Sequence, residues 1–155
     1  MTDHIPMIEK RRIEAAILKE VYDVIKARHG KDAAQEIIRD AVAQSAIAQG
    51  REFRAHHDHA PDLADFTKHQ HLWEKNNALT RDVLHSSPER LDYNITKCAY
   101  AEMYKDMGLA EIGPLLSCNR DASFCTGFSE DITLERSQTI MEGASHCDFR
   151  YTIKK

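Results

Sequence analysis

Residues 79–96, LTRDVLHSSPERLDYNIT, decide the fold class. Two runs within them, Leu79–His85 and Arg90–Thr96, alternate in character. In the second, Leu91, Tyr93 and Ile95 point one way, and Asp92, Asn94 and Thr96 the other, which is the period of a half-buried strand. Ser86-Ser87-Pro88 between the runs reads as a turn, so the pair is expected to form an antiparallel hairpin. Everything upstream reads as helix. Helices followed by a small antiparallel sheet make an α+β fold.

Working outward, Ile13, Ile17, Val21, Val24 and Ile25 recur at helical spacing and mark the apolar face of a helix from Ile8 to about Arg28. Pro6 suits its start and Gly30 its stop. Asp32 is a candidate N-cap for a second helix. That helix carries a small-residue stripe of Ala34, Ile37, Ile38, Ala41, Val42, Ser45 and Ala48, and Gly50 ends it unless it runs on to about Ala55. Pro61-Asp62 opens a third helix, Leu63 to about Asn77. The helical scaffold then spans about residues 1–77 and a motif-bearing α+β part about 78–155, within one domain, 1–155. In that second part a helix runs from Cys98 to Met107 and stops at Gly108. A short helix or turn over Leu109–Leu116 is broken at Gly113-Pro114. Asn119–Phe128 reads as loop. Ile132–Ile140 and Cys147–Ile153 read as a second strand pair.

The totals exclude several classes. A 155-residue chain buries roughly 68–70% of its unfolded surface and needs no staples. The net charge of −4 disfavours nucleic acid and anionic membranes as partners. No apolar run reaches the roughly 18 residues of a membrane span. The N-terminus, MTDHIPMIEKRR, lacks the pattern of a secretory signal. Four cysteines without such a signal, at 98, 118, 125 and 147, suggest free thiols in a reducing, cytoplasmic compartment. The small-residue stripe of the second helix suits an internal contact or a homo-oligomer interface equally.

The chemistry-bearing residues gather late in the chain. In Cys118-Asn119-Arg120-Asp121, the arginine can stabilise a thiolate or grip a substrate carboxylate, the aspartate can carry protons, and the asparagine can donate to a polarised C=N. The bland reading is a turn whose Asn and Asp cap local backbone. In Cys147–Tyr151, strand period puts Cys147, Phe149 and Tyr151 on one face and His146, Asp148 and Arg150 on the other. That polar face offers base, acid and cation, or a plain surface ion pair. Cys98 opens a predicted helix, where the macrodipole lowers a thiol pKa, with Glu102 one turn on; a buried packing cysteine is the alternative. Cys125, among uncharged neighbours, reads as packing. Five of the nine histidines lie at 56, 57, 59, 69 and 71. His69 and His71 would point about 200° apart on a helix and could not share a metal, so a solvated helix junction is the plainer reading of this group.

The runs Cys98-Ala99-Tyr100-Ala101-Glu102-Met103-Tyr104, Leu116-Ser117-Cys118-Asn119-Arg120-Asp121 and Thr139-Ile140-Met141-Glu142-Gly143-Ala144 with Cys147-Asp148-Phe149-Arg150-Tyr151 resemble the L-2-amino-thiazoline-4-carboxylic acid hydrolase family. The resemblance covers about the last 60 residues well and extends loosely to Arg11-Arg12-Ile13-Glu14-Ala15. The histidine group and Cys125 lie outside it. It implies hydrolytic opening of a small heterocycle to a carbamoyl cysteine, with related cyclic amidines, ureas or imides as other candidate substrates. It needs no metal and no cofactor. The chemistry calls for an acid near the ring and an attacking thiolate or activated water. Cys118 is the first choice as nucleophile, or as neighbour of the attacking water; Cys147 is second and Cys98 third. Asp121 and Asp148 would handle protons. Asp121 or Glu102 would grip the amino-imine edge, Arg120 and Arg150 the carboxylate, and Asn119 and His146 complete the substrate-binding set. Two other readings stand beside it. One is a non-enzymatic small-molecule or metal sensor using the His56–His71 region, with His56, His57 and His59 as ligands. The other is an inactive relative serving as an assembly subunit.

Overall fold

A computed structural model of the chain describes residues 5–154; the first four positions, part of the stretch read for a leader, lie outside it. Helices α1 (Met7–His29) and α2 (Lys31–Arg54) form an antiparallel pair, turned by Gly30 at φ +88°. The third predicted helix breaks into α3 (Leu63–His69) and α4 (His71–Glu74). A 3-10 turn, Lys75–Asn77, follows, ended by the left-handed Asn76 and Asn77. Asp62 caps α3 in a capping box with Asp65.

The hairpin forms as expected: β1 (Leu79–Ser86) pairs antiparallel with β2 (Arg90–Cys98). β4 (Cys147–Ile153) adds to β2, and the short β3 (Ile132–Glu135) to β4, giving the order β1-β2-β4-β3. Leu91, Tyr93 and Ile95, with Cys147, Phe149 and Tyr151, form the buried face. This α+β architecture of N-terminal helices and a four-stranded antiparallel sheet matches the expectation. Among the described residues, no helix is long and apolar enough to cross a membrane.

The strand expected over Ile132–Ile140 stops at Glu135, and Ile140 opens a 3-10 turn. Three further local expectations fail. Asn119–Phe128 is not loop: α6 spans Arg120–Phe128. Its sequence, RDASFCTGF, is poor in strong helix formers, and tertiary packing supplies what propensity lacks. α6 lies backbone-to-backbone against α2. A Cβ on Gly127 would sit 2.0 Å from the Ile47 carbonyl oxygen, and one on Gly50 2.2 Å from that of Phe124. Gly50 therefore does not end α2; it lets α6 touch it. The second failure is the face of α1. Ile13 and Ile17 are each 63% exposed, and Val21 and Val24 are exposed too. The buried face is Met7, Ile8, Arg11, Ala15 and Tyr22, with Arg11 drawn in to line a cavity. In α2 the buried row is Ala34, Ile38, Val42, Ala46 and Gly50, while Ile37 faces out. Third, Cys98 is the last residue of β2 and only the extended N-cap of α5 (Ala99–Asp106).

Between α5 and α6 the chain makes a π turn, Pro114–Cys118, in which Asn119 N–H reaches back five residues to the Pro114 carbonyl at 2.9 Å. The turn delivers Cys118 and the start of α6 to the space between the helical core and the sheet.

Candidate active site

That space is a cavity of about 100 Å³, several times the roughly 10–15 Å³ that holds one water. It is the size of a small ring rather than a polymer segment. The sheet supplies Tyr93, Ile95, Cys147, Phe149 and Tyr151 as one wall. Tyr93 and Phe149 stack at 4.8 Å between centroids. Trp73 and Phe66 close a second side. Cys98, at the end of β2, Cys118, from the π turn, and Asp121, in the first turn of α6, enter the same cavity.

The charged lining is mostly arginine. Arg136, in the segment after β3, donates to Asp121 Oδ2 at 2.5 Å and to the Cys118 carbonyl at 3.0 Å, and its guanidinium lies 5.0 Å over the Phe149 ring. Arg11 and Arg120 share Glu14: Arg11 grips both its oxygens at 2.9 and 3.0 Å, and Arg120 reaches Oε2 at 3.2 Å. Arg81 pairs with Glu74 at 2.7 Å and lies over Tyr93, and its Nη1 is a buried donor without an acceptor. Four arginines thus meet three carboxylates, Glu14, Glu74 and Asp121. One positive charge remains, on the Arg11–Arg120 side, in a wall suited to an anionic group.

Burial sets the protonation of the site. It raises the Asp121 carboxyl above its ordinary value, against the opposing pull of Arg136. It also raises every thiol: Cys98 to about 11, and Cys118 further, with Asp121 adding to the effect. Cys147 moves the same way, although the Ile140 N–H donates to its sulfur at 3.2 Å. The expected helix-dipole activation of Cys98 fails for the same reason. N–H groups of Tyr100 and Ala101 do pull its pKa down, but desolvation outweighs them. At neutral pH these sulfurs are thiols, not thiolates; Cys118 donates to Met141 Sδ at 3.9 Å.

Of the residues singled out in the sequence, Cys98, Cys118, Arg120, Asp121 and Cys147 line the cavity. The others do not. Asn119 faces a neighbouring groove and donates to the Arg39 carbonyl. Glu102 is exposed on α5. Asp148 accepts from the N–H groups of Ser137 and Gln138 and from the Ser137 hydroxyl, tying down the segment that carries Arg136. Arg150 donates to the Tyr93 and Phe149 carbonyls and to Asn94, stitching β2 to β4. His146 packs beside Ser145 and Gln138. Sequence reasoning missed Arg11, Arg81 and Arg136. Arg11 carried a signal, being a charged residue in phase with Ala15 and Tyr22 on the face that α2 covers. Arg136, outside any quoted motif, carried none. The histidines lie outside the cavity lining. Among the described residues, His57, His59 and Asp65 form the group whose metal-type donor atoms converge within 4.8 Å.

A similar fold occurs in distant solved structures. The phenol-responsive sensory domain of the transcription activator PoxR, solved with phenol, aligns over 92% of this chain and 74% of that one (TM-score 0.57, 10% identity). Subunit 3 of a trafficking protein particle complex from Naegleria fowleri, covalently bound to palmitic acid, aligns over 93% and 97% (TM-score 0.53, 12% identity). At these identities the likeness is one of fold alone. No curated protein matches the sequence. The family model for L-2-amino-thiazoline-4-carboxylic acid hydrolase, however, matches residues 10–151, from the helix that brings Arg11 to the cavity through the strand that brings Cys147, Phe149 and Tyr151. The chain belongs to the L-2-amino-thiazoline-4-carboxylic acid hydrolase family.

Proposed function

We propose that this chain opens the ring of 2-amino-thiazoline-4-carboxylate, or of a closely related small cyclic amidine, by adding water activated by Asp121. The observation that carries the reading is Asp121 itself. It is a cavity-lining carboxylate of raised pKa, oriented by Arg136 at 2.5 Å, among thiols that burial keeps protonated. A carboxylate of raised pKa is a stronger base than an ordinary one, whereas a desolvated thiol is a poor nucleophile.

The amidine carbon, bonded to sulfur and two nitrogens, is electrophilic in the amidinium form, in which the substrate enters with its ring nitrogen already protonated. Water adds to that carbon and gives a proton to Asp121. The tetrahedral carbon then collapses and the ring opens. In that collapse the hydroxyl on the carbon becomes the carbonyl and releases its proton to solvent, while Asp121 returns its own proton to the departing ring atom, so the amidinium and one water give the ring-opened product and one proton. The uncompensated charge beside Arg11 and Arg120 meets the substrate carboxylate. Tyr93 and Phe149 offer flat faces to the ring. Cys118 and Cys147 act as neutral hydrogen-bond groups beside the reacting carbon, which places Cys118 next to the water rather than in its role.

The test is ring opening, followed by mass, with reduced and chelated protein offered the thiazoline and a panel of cyclic amidines, ureas and imides. Turnover on an amidine, lowered about 10²–10⁴-fold in Asp121→Asn, is the expected result. A folded Asp121→Asn variant with near-normal turnover removes the base assignment. Silence across the panel removes the substrate class.

A further inference from the structure

We infer that the chain carries a second site, a structural site for a zinc-like transition metal ion, built by His57, His59 and Asp65 with His69 as fourth donor. Each of the first three offers one ligand atom, and these atoms lie within 4.8 Å of one another. His57 Nε2 stands 3.0 Å from His69 Nε2, and His59 Nε2 stands 2.7 Å from Asp65 Oδ2. Bonds of about 2.0–2.1 Å put the donors of a tetrahedral zinc about 3.3 Å apart, so the His59–Asp65 pair opens by a few tenths of an ångström to admit an ion, and His69, close to His57 but outside the converging trio, swings in as the fourth donor. Asp65 and His69, at i and i+4, share one face of α3. His57 and His59 come from the loop that joins α2 to α3. Three imidazoles and one carboxylate suit zinc, cobalt or nickel and not magnesium or calcium.

The surroundings support the ligands. Asp58 accepts from His59 Nδ1 at 2.9 Å, the carboxylate–imidazole arrangement that aims the opposite ring nitrogen at a metal. Asp65 is 6% exposed, and its amide N–H is fixed by the capping box. Lys68 bonds the other oxygen, Oδ1, from an exposed side chain that is free to swing out. Behind the cluster, His69 and His57 pack edge-on against Phe53 and Phe128. Phe53 in turn packs edge-on against Phe124, which lines the cavity. An ion here clips the α2–α3 loop to α3 and stiffens the outer layer of the cavity wall without touching the reacting carbon.

The test uses the full chain, stripped by chelator and kept reduced, titrated with Zn²⁺ and with Co²⁺. The expected result is one ion per chain, a rise in Tm with Zn²⁺, and a Co²⁺ spectrum of tetrahedral nitrogen–oxygen type without a sulfur charge-transfer band. His57→Gln and His59→Gln should each weaken binding at least tenfold in a chain that still unfolds cooperatively without metal. Mg²⁺ should not compete. Binding well below one equivalent overturns the site. So does binding that survives either substitution, or a sulfur charge-transfer band showing that the cavity thiols take the ion.

Discussion

Gly127→Ala should be among the most damaging single-methyl additions this chain can suffer. A Cβ at that position meets the Ile47 carbonyl oxygen at 2.0 Å, the Arg51 nitrogen at 2.9 Å and the Ile47 carbonyl carbon at 2.9 Å, all backbone of α2. Real Cβ atoms essentially never come closer than 3.0 Å to such atoms, so the two helices must part by about 1 Å. Alanine gains up to about 1 kcal/mol in helix propensity, but overpacking against atoms that cannot turn aside costs about 1–3 kcal/mol or more. The net loss should be about 2 kcal/mol, a sizeable share of a typical 5–15 kcal/mol stability. α6 also carries Asp121 and Phe124. A 1 Å displacement of that helix disturbs the 2.5 Å Arg136 contact and should lower kcat/KM by about 10²-fold. Urea unfolding and turnover on one preparation measure both. The internal control is Gly113→Ala, where the nearest atom, at 3.0 Å, is the sulfur of the flexible Met141 side chain; it should cost under 1 kcal/mol. If Gly127→Ala matches wild type in stability, the close helix crossing is not what holds α6.

Because burial raises the Asp121 pKa, the acidic limb of the kcat/KM profile should lie above the ordinary carboxylate range of about 4, with activity lost as pH falls through it. Arg136→Gln, removing the opposing cation, should move that limb to higher pH still. Cys118→Ser should keep turnover within about tenfold of wild type; a loss as deep as that of Asp121→Asn would mark the sulfur as the attacking atom. Asp148→Asn should cost about 1–2 kcal/mol in urea unfolding at pH 7, through weaker bonds to Ser137 and Gln138. Burial raises this carboxyl's pKa, but those bonds pull it lower overall. The contribution is therefore present above the unfolded carboxyl pKa and fades as pH falls through the folded one, so the variant and wild type should converge in acid.

What the sequence made legible is what repeats with a period or is punctuated by turn residues. In the second strand of the 79–96 hairpin the residues read as inward, Leu91, Tyr93 and Ile95, are buried, although Asp92 is buried with them. Cys147, Phe149 and Tyr151 could be put on one face from period alone. Pro61-Asp62 announced a helix start, which the structure shows as a cap made reciprocal by Asp65. What stayed hidden depends on partners distant in sequence. α6 is helical because α2 lies against Gly127, and nothing in RDASFCTGF says so. The Ile13–Val24 stripe gave the correct period for α1 and the wrong face, since apolarity marks the core only where burial is what apolar residues are spent on. Cys98, Cys118, Asp121 and Cys147 could be singled out one by one. That they line one cavity with Arg136, and that burial keeps the sulfurs protonated, follows from a fold that joins four separate segments.

The π turn at Pro114–Cys118 has an arithmetic consequence. Removing any one of its residues would restore an ordinary α turn and rotate all that follows by about 100°. Asp121 and Phe124 would then swing off the cavity, and Gly127 off its seat on α2. The site is therefore encoded partly as a count. A lineage can exchange Leu115 or Ser117 for similar residues at modest cost, but a single-codon deletion there should be lethal to activity even where every side chain named above survives. Measured tolerance to deletion should fall to its minimum between Gly113 and Asn119, immediately ahead of Asp121.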